Sequence, residues 1–222
     1  DCDAQLRPDN AMGSAVSGIY LHETTSDLNE EVAALIDAGR LLHLFSLRST
    51  ALVDASGVGV TLLHGLDTDG DPTDNFDGAE PFDIDTGRGR GTVSGSINGD
   101  QLSVRGGQLP IGMILPSLDE VVILPIEGAR IEATISATRI EGQIGGAIPK
   151  EAVDTILIPF VYRALMRAVE RDCPGITVGQ PPCICDAGSF GETLLDFFDG
   201  WQGDCQITFG EFATNSLVTS LS

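Results

Sequence analysis

Aspartates recur at alternate positions in one short segment of this 222-residue chain. The alternating residues are Asp67, Asp69 and Asp71, and the same segment continues to Asp74 and Asp77. Calcium takes about six to eight oxygen ligands, so a short loop with carboxylates on alternate residues can wrap one ion. The segment predicts a calcium site at these aspartates, with a solvated acidic turn as the alternative.

A second group of oxygen donors lies near the C-terminal end of the chain, at Asp199, Asp204, Gln206 and Glu211. We predict that the three carboxylates, together with the carbonyl oxygen of Gln206, bind a second calcium ion. Two helices are expected to flank the group. The first is capped by the pattern at 189–192 and runs to 198, and the second covers 209–221.

Both groups resemble known calcium loops. The first resembles the Asp-x-Asp-x-Asp opening of EF-hand, dockerin and thrombospondin type 3 loops, although Pro72 replaces the usual glycine. The second resembles an EF-hand in its helix-loop-helix layout and in the spacing from Ile207 to Glu211. It departs from that pattern by one inserted residue and by Cys205 in place of the turn glycine. Two hypotheses stay open for this loop: distorted calcium binding, or fixation by a disulfide without metal.

The five cysteines are unevenly distributed. They are Cys2, Cys173, Cys183, Cys185 and Cys205. Clustering of this kind predicts a disulfide-stapled, loop-rich segment in an oxidising compartment. Zinc is the competing interpretation, but the spacing lacks the paired C-x2-C pattern of tetrahedral sites. The pairing of the cysteines, including Cys2, stays open.

Charge limits the partners. The chain has 33 acidic and 12 basic residues, with a formal net charge of -21. This excess repels nucleic-acid phosphates and anionic lipid surfaces, and bound cations would relieve its self-repulsion. The most apolar stretch, 156–169, is too short to cross a bilayer. No transmembrane segment is therefore predicted. The clustered cysteines predict a secreted or cell-surface protein, extracellular or periplasmic.

Period-two alternation dominates residues 80–148. Residues 93–97 and 102–104 predict a hairpin with a type I′ turn at Asn98-Gly99, and 131–135 with 140–144 predict a second hairpin. Further strands are predicted at 41–47, 58–66, 111–115 and 121–126. This pattern favours a mainly β fold, an antiparallel sandwich or barrel with a few helices.

Two helices accompany the predicted strands. One is expected near 27–38, with a capping pattern at Asp27 and Glu30 and with Gly39 at its end. The other is expected at 150–172, where Pro159 should kink it. It would cover an open face of the sheet or act as a lid over an apolar cavity. We predict a β-rich domain at 1–172 and a Cys-rich, EF-hand-like segment at 173–222.

Motifs of enzymes are missing. The sequence contains no G-x-S-x-G, H-E-x-x-H, Walker A or G-x-G-x-x-G pattern, so we predict that the protein is not an enzyme. The three histidines, His22, His43 and His64, are evenly spaced. We interpret them as scattered surface or strand-end residues, with a metal cluster as the alternative.

A β-rich acidic chain that ends in Phe-Asp-x-x-x-Gly-Asp-Cys-x-Ile-x-x-x-Glu resembles uncharacterised exported proteins and lipoproteins of delta-proteobacteria, especially myxobacteria. The resemblance implies an exported location and calcium binding, without a reaction. Our leading hypothesis is a calcium-binding scaffold for cell-surface structure, adhesion or self-assembly, including an extracellular filament subunit. Its partners would be calcium and either further copies of itself or another surface protein. The alternative is a carrier of an apolar small molecule in a β-cup under the 150–172 helix.

Overall fold

The computed structural model describes residues 28–76, 78, 81–115, 120–199 and 203–219. These residues group into two compact units. One contains 33–115 and 120–156 and holds the sheet, while the other contains 28–32 and 157–219 and holds most of the helices. The domain limits expected from the sequence stay a prediction.

The sheet unit has eight strands among its described residues. They are β1 (Leu42–Arg48), β2 (Ala55–Leu66), β3 (Asp83–Ile84), β4 (Gly91–Asn98), β5 (Gln101–Arg105), β6 (Gln108–Leu115), β7 (Glu120–Ile135) and β8 (Ile140–Ala147). The order is β1-β2-β4-β5-β7-β6, with β3 paired to β2 and β8 paired to β7. Every pairing is antiparallel, and the sheet curls into a half-barrel, which confirms the predicted fold class.

Strands β5 and β6 pair with β7 in one continuous register, as the two halves of a single long strand. Gly106 and Gly107 join the halves with φ of 89° and 78°, and Gly128 on β7 has φ of 59°. The Gly106 N–H donates to the Ala129 carbonyl at 2.8 Å across this junction. Glycine suits these positions because side chains disfavour positive φ, and such irregularities bend a strand.

One face of the sheet forms the core. Its buried side chains include Val58, Val60, Leu62, Val93, Ile97, Leu102, Val104 and Leu109. Burying a side chain of this size stabilises the fold by roughly 1.5–3 kcal/mol relative to its exposed state. The other face is polar, as shown by the hydrogen-bonded hydroxyls of Thr61 and Thr92 at 2.9 Å.

The first predicted hairpin is confirmed, but its turn type is wrong. Asn98 pairs with Gln101, so Gly99 and Asp100 occupy the turn. Gly99 has φ of 62°, while Asp100 is not among the residues with positive φ. Glycine at the first turn position matches type II′ rather than type I′. The second predicted hairpin, β7–β8, is also confirmed, and Ile135 pairs with Ile140.

The N-terminal helix is confirmed as α1 (Leu28–Asp37). Gly39 follows with φ of 69°, and its N–H donates to the Ile36 carbonyl at 2.9 Å. The Arg40 N–H donates to the Leu35 carbonyl at 2.9 Å, which completes a Schellman cap. The predicted capping residue Asp27 lies outside the described residues.

The helix predicted at 150–172 is present in three parts: α2 (Lys150–Ala152), a π-helical turn (Val153–Leu157) and α3 (Ile158–Asp172). Pro159 lies in the first turn of α3. Because proline lacks an N–H, it interrupts the α-helical hydrogen bonds of the preceding turn. A π-helical turn lies directly before this proline, and the kink expected at Pro159 stays a prediction.

The C-terminal unit also contains α4 (Phe190–Phe198), α5 (Phe209–Thr214) and α6 (Ser216–Thr219). The helix expected at 209–221 is interrupted at Asn215, whose ψ of 139° is extended. Two disulfides, Cys173–Cys185 and Cys183–Cys205, confirm the predicted staple. Over the described ranges, no helix is both long and apolar enough to span a membrane.

Candidate functional site in two acidic loops

The acidic loop, residues 67–76, directly follows β2. Each of its first three aspartates accepts a hydrogen bond from a nearby backbone N–H. Asp67 Oδ1 accepts from Gly70 at 2.9 Å, and Asp69 Oδ1 accepts from Asp71 at 2.9 Å. Side-chain-to-backbone bonds of this kind stabilise a turn on their own.

Asp71 continues the series. Its Oδ1 accepts from the Thr73 N–H at 3.0 Å and from the Thr73 hydroxyl at 2.7 Å. These hydrogen bonds hold the pKa of the exposed Asp71 below its ordinary value. The aspartate bonds therefore shape the turn, and Asp77 of the predicted site lies outside the described residues.

The buried anchor of the acidic loop is an amide. Asn75 is 2% exposed, and its Nδ2 donates to the carbonyl of Asp37 at the end of α1, at 3.0 Å. A Cβ added to Gly39 would lie 2.7 Å from the Asp67 carboxylate and 3.0 Å from Asn75 Nδ2. Gly39 therefore lets the loop pack closely on the helix end.

The C-terminal loop covers residues 199–211, of which 199 and 203–211 are described. Asp199 opens it and is only 3% exposed. Its Oδ2 accepts from the Cys205 N–H at 2.7 Å, and its Oδ1 accepts from the Asp204 N–H at 3.2 Å. A buried carboxylate thus closes the loop on itself, which makes Asp199 very different from the exposed aspartates at 69 and 71.

Cys205 adopts the conformation that a glycine usually takes at a turn. Its φ is 62°, and its side chain forms the disulfide with Cys183. The Gly179 N–H donates to the Asp204 carbonyl at 2.6 Å beside this crosslink. The disulfide therefore crosslinks the C-terminal loop at its residue with positive φ.

Glu211 forms a capping box with Thr208. Its Oε2 accepts from the Thr208 N–H and hydroxyl, both at 2.8 Å, while the Thr208 hydroxyl accepts from the Glu211 N–H at 3.2 Å. The other carboxylate oxygen, Oε1, is buried and has no hydrogen-bond partner in the described part of the chain. A buried acceptor without a donor is destabilising unless something else satisfies it.

The remaining predicted ligands lie between these two residues. Asp204 is half-buried, and its Oδ1 accepts from the Gln206 N–H at 3.1 Å. Burial raises the pKa of Asp199, and the neighbouring Asp204 charge adds to that effect. The raised pKa therefore reflects a buried carboxylate at Asp199 with a second negative charge nearby.

Convergence of ligands is incomplete. Across the described ranges, no three His, Cys, Asp or Glu side chains stand together as a metal-binding group. A carboxylate has about four lone-pair sites, so the accepted N–H bonds leave Asp199 and Glu211 able to bind a cation as well. Each loop holds one buried carboxylate oxygen without a hydrogen bond among the described residues, Asp74 Oδ1 in the acidic loop and Glu211 Oε1 in the C-terminal loop. Of the two loops, the C-terminal loop fits calcium better, because it also contains Asp199, which is only 3% exposed.

The structure brings two histidines into a contact that was not predicted from the sequence. His43 and His64 are cross-strand partners on β1 and β2, with ring centroids 5.3 Å apart. His64 is fully buried, which corrects its interpretation as a surface or strand-end residue. Its Nε2 donates to the Pro110 carbonyl at 3.0 Å, while His43 Nε2 accepts from the Gly112 N–H at 3.0 Å.

This pair is held neutral. Burial, with smaller effects of the nearby His64 and Arg88, lowers the pKa of His43 to about 4. A proton on His43 Nε2 would face the Gly112 N–H, so the hydrogen bond needs the neutral ring. The sequence spacing of His43 and His64 does not by itself predict that they are in contact. The contact follows only once β1 and β2 are known to pair as neighbouring antiparallel strands. The third histidine, His22, lies outside the described residues.

The sheet unit also contains an apolar groove of about 240 Å³ between its two edge strands, β1 and β8. We call it the edge groove. Side chains that line it include Phe45, Leu47, Val60, Ile131, Ile140 and Ile144. Phe45, Ile140 and Ile144 are 49%, 53% and 41% exposed, so a large part of this apolar surface faces solvent.

Comparison with protein families, with curated proteins and with solved structures found no match for the chain.

Proposed function

We propose that this chain is an exported, non-catalytic scaffold protein that binds calcium in its C-terminal loop. One observation carries the proposal: buried Asp199 opens the loop and Glu211, with its buried and unsatisfied Oε1, closes it. Asp199, Asp204, Glu211 and the Gln206 carbonyl would hold the ion. Calcium would supply positive charge that links the two ends of the loop.

Electrostatics supports this choice of ligand. Carboxylates that are buried near one another are costly without a compensating cation. The chain as a whole carries a formal charge of -21, which adds to the repulsion within the folded state. Hard oxygen donors favour calcium over softer metals such as zinc.

The acidic loop is the weaker part of the calcium proposal. Asp67, Asp69 and Asp71 already shape the turn, and an ion would have to share their oxygens with backbone N–H groups. Asp74 and Asp77 would complete the ligand set. We rank this loop second because its aspartates at 69 and 71 are exposed to water.

Terbium luminescence tests the site directly. Terbium replaces calcium in oxygen sites and emits when a nearby tryptophan is excited, and the single tryptophan, Trp201, lies within the C-terminal loop in sequence. We expect a sensitised signal that calcium displaces. The signal should disappear in Asp199→Asn/Glu211→Gln and persist in the matched control Asp69→Asn/Asp71→Asn.

Thermal unfolding with and without EGTA gives an independent measurement. Because calcium would bind only the folded loop, saturation to about 100 times Kd should add about 2.7 kcal/mol to the free energy of unfolding. Identical unfolding curves, together with no terbium signal, would contradict the calcium proposal. If only the control variant lost the signal, the site would move to the acidic loop.

The scaffold assignment rests on other features. Two disulfides support an oxidising location, extracellular or periplasmic. The half-barrel leaves strand edges that can pair with another chain. The protein's partners would be further copies of itself or another surface protein.

A carrier of an apolar small molecule is the second candidate, and the edge groove is the observation in its favour. Its volume of about 240 Å³ is slightly below the usual range for ligand pockets, which begins near 300 Å³. The lid role predicted for the helix at 150–172 stays a prediction. Native mass spectrometry of protein purified from its natural host would test this candidate, because a carrier should retain a bound apolar molecule.

A further inference from the structure

Strand β8 is exposed along its whole length. It pairs on one side with β7, and no other described strand pairs with it. All eight of its residues are exposed, including Ile140 at 53% and Ile144 at 41%. An unpaired strand edge with exposed isoleucines is a surface on which another strand can add.

The hairpin geometry shows which backbone groups are available. The Ser136 N–H donates to the Arg139 carbonyl at 2.8 Å within the β7–β8 hairpin. In an antiparallel pair, alternate residues direct their N–H and C=O groups to the same neighbour. Residues 139, 141, 143 and 145 therefore face β7, while Ile140, Gly142 and Ile144 direct their backbone groups to the free edge.

This edge lacks the features that usually prevent strand addition. Natural edge strands are commonly protected by lysines, prolines or inward-pointing charges. The sequence of β8 is IEGQIGGA, with Glu141 as its one charged residue. Glu141 is paired with Arg139 of its own hairpin at 3.2 Å, so it adds little net repulsion at the edge.

The sequence of β8 is complementary to itself when two copies run antiparallel around Gly142. Ile140 of one copy then lies opposite Ile144 of the other, and the reverse pair repeats the contact. Glu141 lies opposite Gln143, so no two carboxylates face each other. Centring on Ile144 instead would leave Ile140 beyond the end of the opposite strand.

We propose that β8 binds β8 of a second copy of this chain, antiparallel and centred on Gly142, so that the two sheets become continuous. In this register, the N–H and C=O groups of residues 140, 142 and 144 that face the free edge form hydrogen bonds with the same groups of the second copy. The matched patch is isologous, as a two-fold dimer requires. The inference deepens the proposed scaffold function by naming its partner, and it does not depend on calcium.

One strand per copy makes a small interface, so we expect a concentration-dependent dimer rather than an obligate one. Sedimentation equilibrium on the full chain measures it. Two double variants test the register. Ile140→Glu/Ile144→Glu places like charges opposite each other twice, whereas Ile140→Glu/Ile144→Lys places opposite charges there.

We expect wild type and the Glu/Lys variant to dimerise, and the Glu/Glu variant to dimerise at least tenfold more weakly than the Glu/Lys variant. Ile84→Glu is the matched control, because Ile84 is 51% exposed on β3 and is not part of β8. It should dimerise as the wild type does. Circular dichroism of each variant verifies that the sheet is folded.

A wild-type protein that stays monomeric into the millimolar range would overturn the inference, with or without an apolar molecule in the edge groove. So would equal dimerisation of the two double variants. Terbium binding, measured on the same samples, keeps the two proposals apart. Dimerisation without terbium binding contradicts only the calcium site, and terbium binding by a strict monomer contradicts only the β8 contact.

Discussion

The acidic loop and the C-terminal loop are both rich in aspartates, but they use them differently. In the acidic loop, Asp69 and Asp71 are exposed and bond to backbone N–H groups two residues away. In the C-terminal loop, Asp199 is 3% exposed and reaches the N–H groups five and six residues further along. The first arrangement shapes a local turn, whereas the second closes a whole loop.

The difference shows that acidic sequence alone does not define a binding loop. The acidic loop is anchored by a neutral amide, Asn75, and two of its aspartates, Asp69 and Asp71, are exposed to water. The C-terminal loop is crosslinked by a disulfide at Cys205, and the Cys205 N–H donates to the buried carboxylate of Asp199. Substitution of Asn75 and of the Cys183–Cys205 disulfide should therefore change the free energy of unfolding by different amounts. The same holds for substitution of the carboxylates in the two loops.

The largest effect is expected from loss of the Cys183–Cys205 disulfide. Its cysteines are 22 residues apart, and crosslinks of this span stabilise by about 3 kcal/mol through the unfolded state. We expect Cys183→Ala/Cys205→Ala to lower the free energy of unfolding by about that amount in urea denaturation. Trp201 fluorescence reports on the loop itself.

A glycine variant separates the crosslink from the backbone conformation. Cys205 has φ of 62°, which costs alanine about 1 kcal/mol more than glycine. Cys183→Ala/Cys205→Gly should therefore be more stable than the double alanine variant. Equal stability of the two would show that this turn relaxes once the disulfide is removed.

The next effect is expected from Asp199→Ala, which removes the acceptor for two loop N–H groups. We expect a loss of about 2 kcal/mol, because the Cys205 N–H is left buried without its acceptor. Asp69→Ala in the acidic loop should change stability by no more than about 0.5 kcal/mol. Urea denaturation in EGTA measures both, and similar losses would contradict the contrast between the loops.

Asn75→Ala should have an intermediate effect on the acidic loop. The variant loses the hydrogen bond to the Asp37 carbonyl and leaves a small void, at a cost of about 1 kcal/mol. Amide exchange of residues 67–76 should accelerate as the loop loosens. Thr68→Ala, which alters an exposed side chain of the same loop, serves as the control and should leave the stability within about 0.5 kcal/mol.

The smallest effect is the pH dependence, and its sign differs between the loops. Burial raises the pKa of Asp199, so the folded state keeps its proton at a pH at which the unfolded state has released it. The protonated carboxyl stabilises the folded state at low pH, and this contribution is lost as pH rises through the raised pKa. The pKa of Asp71 is lowered, so its contribution is present at neutral pH and is lost as pH falls through the lowered value.

Urea denaturation in EGTA, from neutral pH to about pH 2.5, measures this difference, because an unperturbed aspartate titrates near pH 3.9. Relative to Asp199→Asn, the wild type should gain stability as pH falls, because asparagine does not titrate. Relative to Asp71→Asn, the wild type should lose stability over the most acidic part of the range. Parallel pH profiles for both variants would show that the two carboxylates have similar surroundings.

Most strands could be predicted because alternation records which face of a strand is buried. Val93 and Ile97 gave the inner face of β4, and Leu102 and Val104 gave that of β5. The turn type was wrong because Asn98 continues the strand instead of entering the turn. A dipeptide indicates a turn, but the register of the flanking strands decides its position.

The loops could be located but not ranked from the sequence. Carboxylate spacing was visible, whereas the burial of Asp199 depends on contacts made by the folded C-terminal unit. Clustered cysteines predicted a staple, but only the fold brings Cys183 to Cys205. The Asp172 carboxylate, which accepts from the Gly191 N–H at 2.9 Å, is a similar long-range contact without a local signal.

The disulfides have a consequence for the order in which the chain acquires its structure. Their cysteines are only 12 and 22 residues apart, and both pairs follow the last strand, β8. Because a chain is made from its N-terminus, the complete sheet sequence precedes Cys173. Both disulfides therefore form within a short segment that is synthesised after the strands. The strands can pair while all four of these thiols are still reduced.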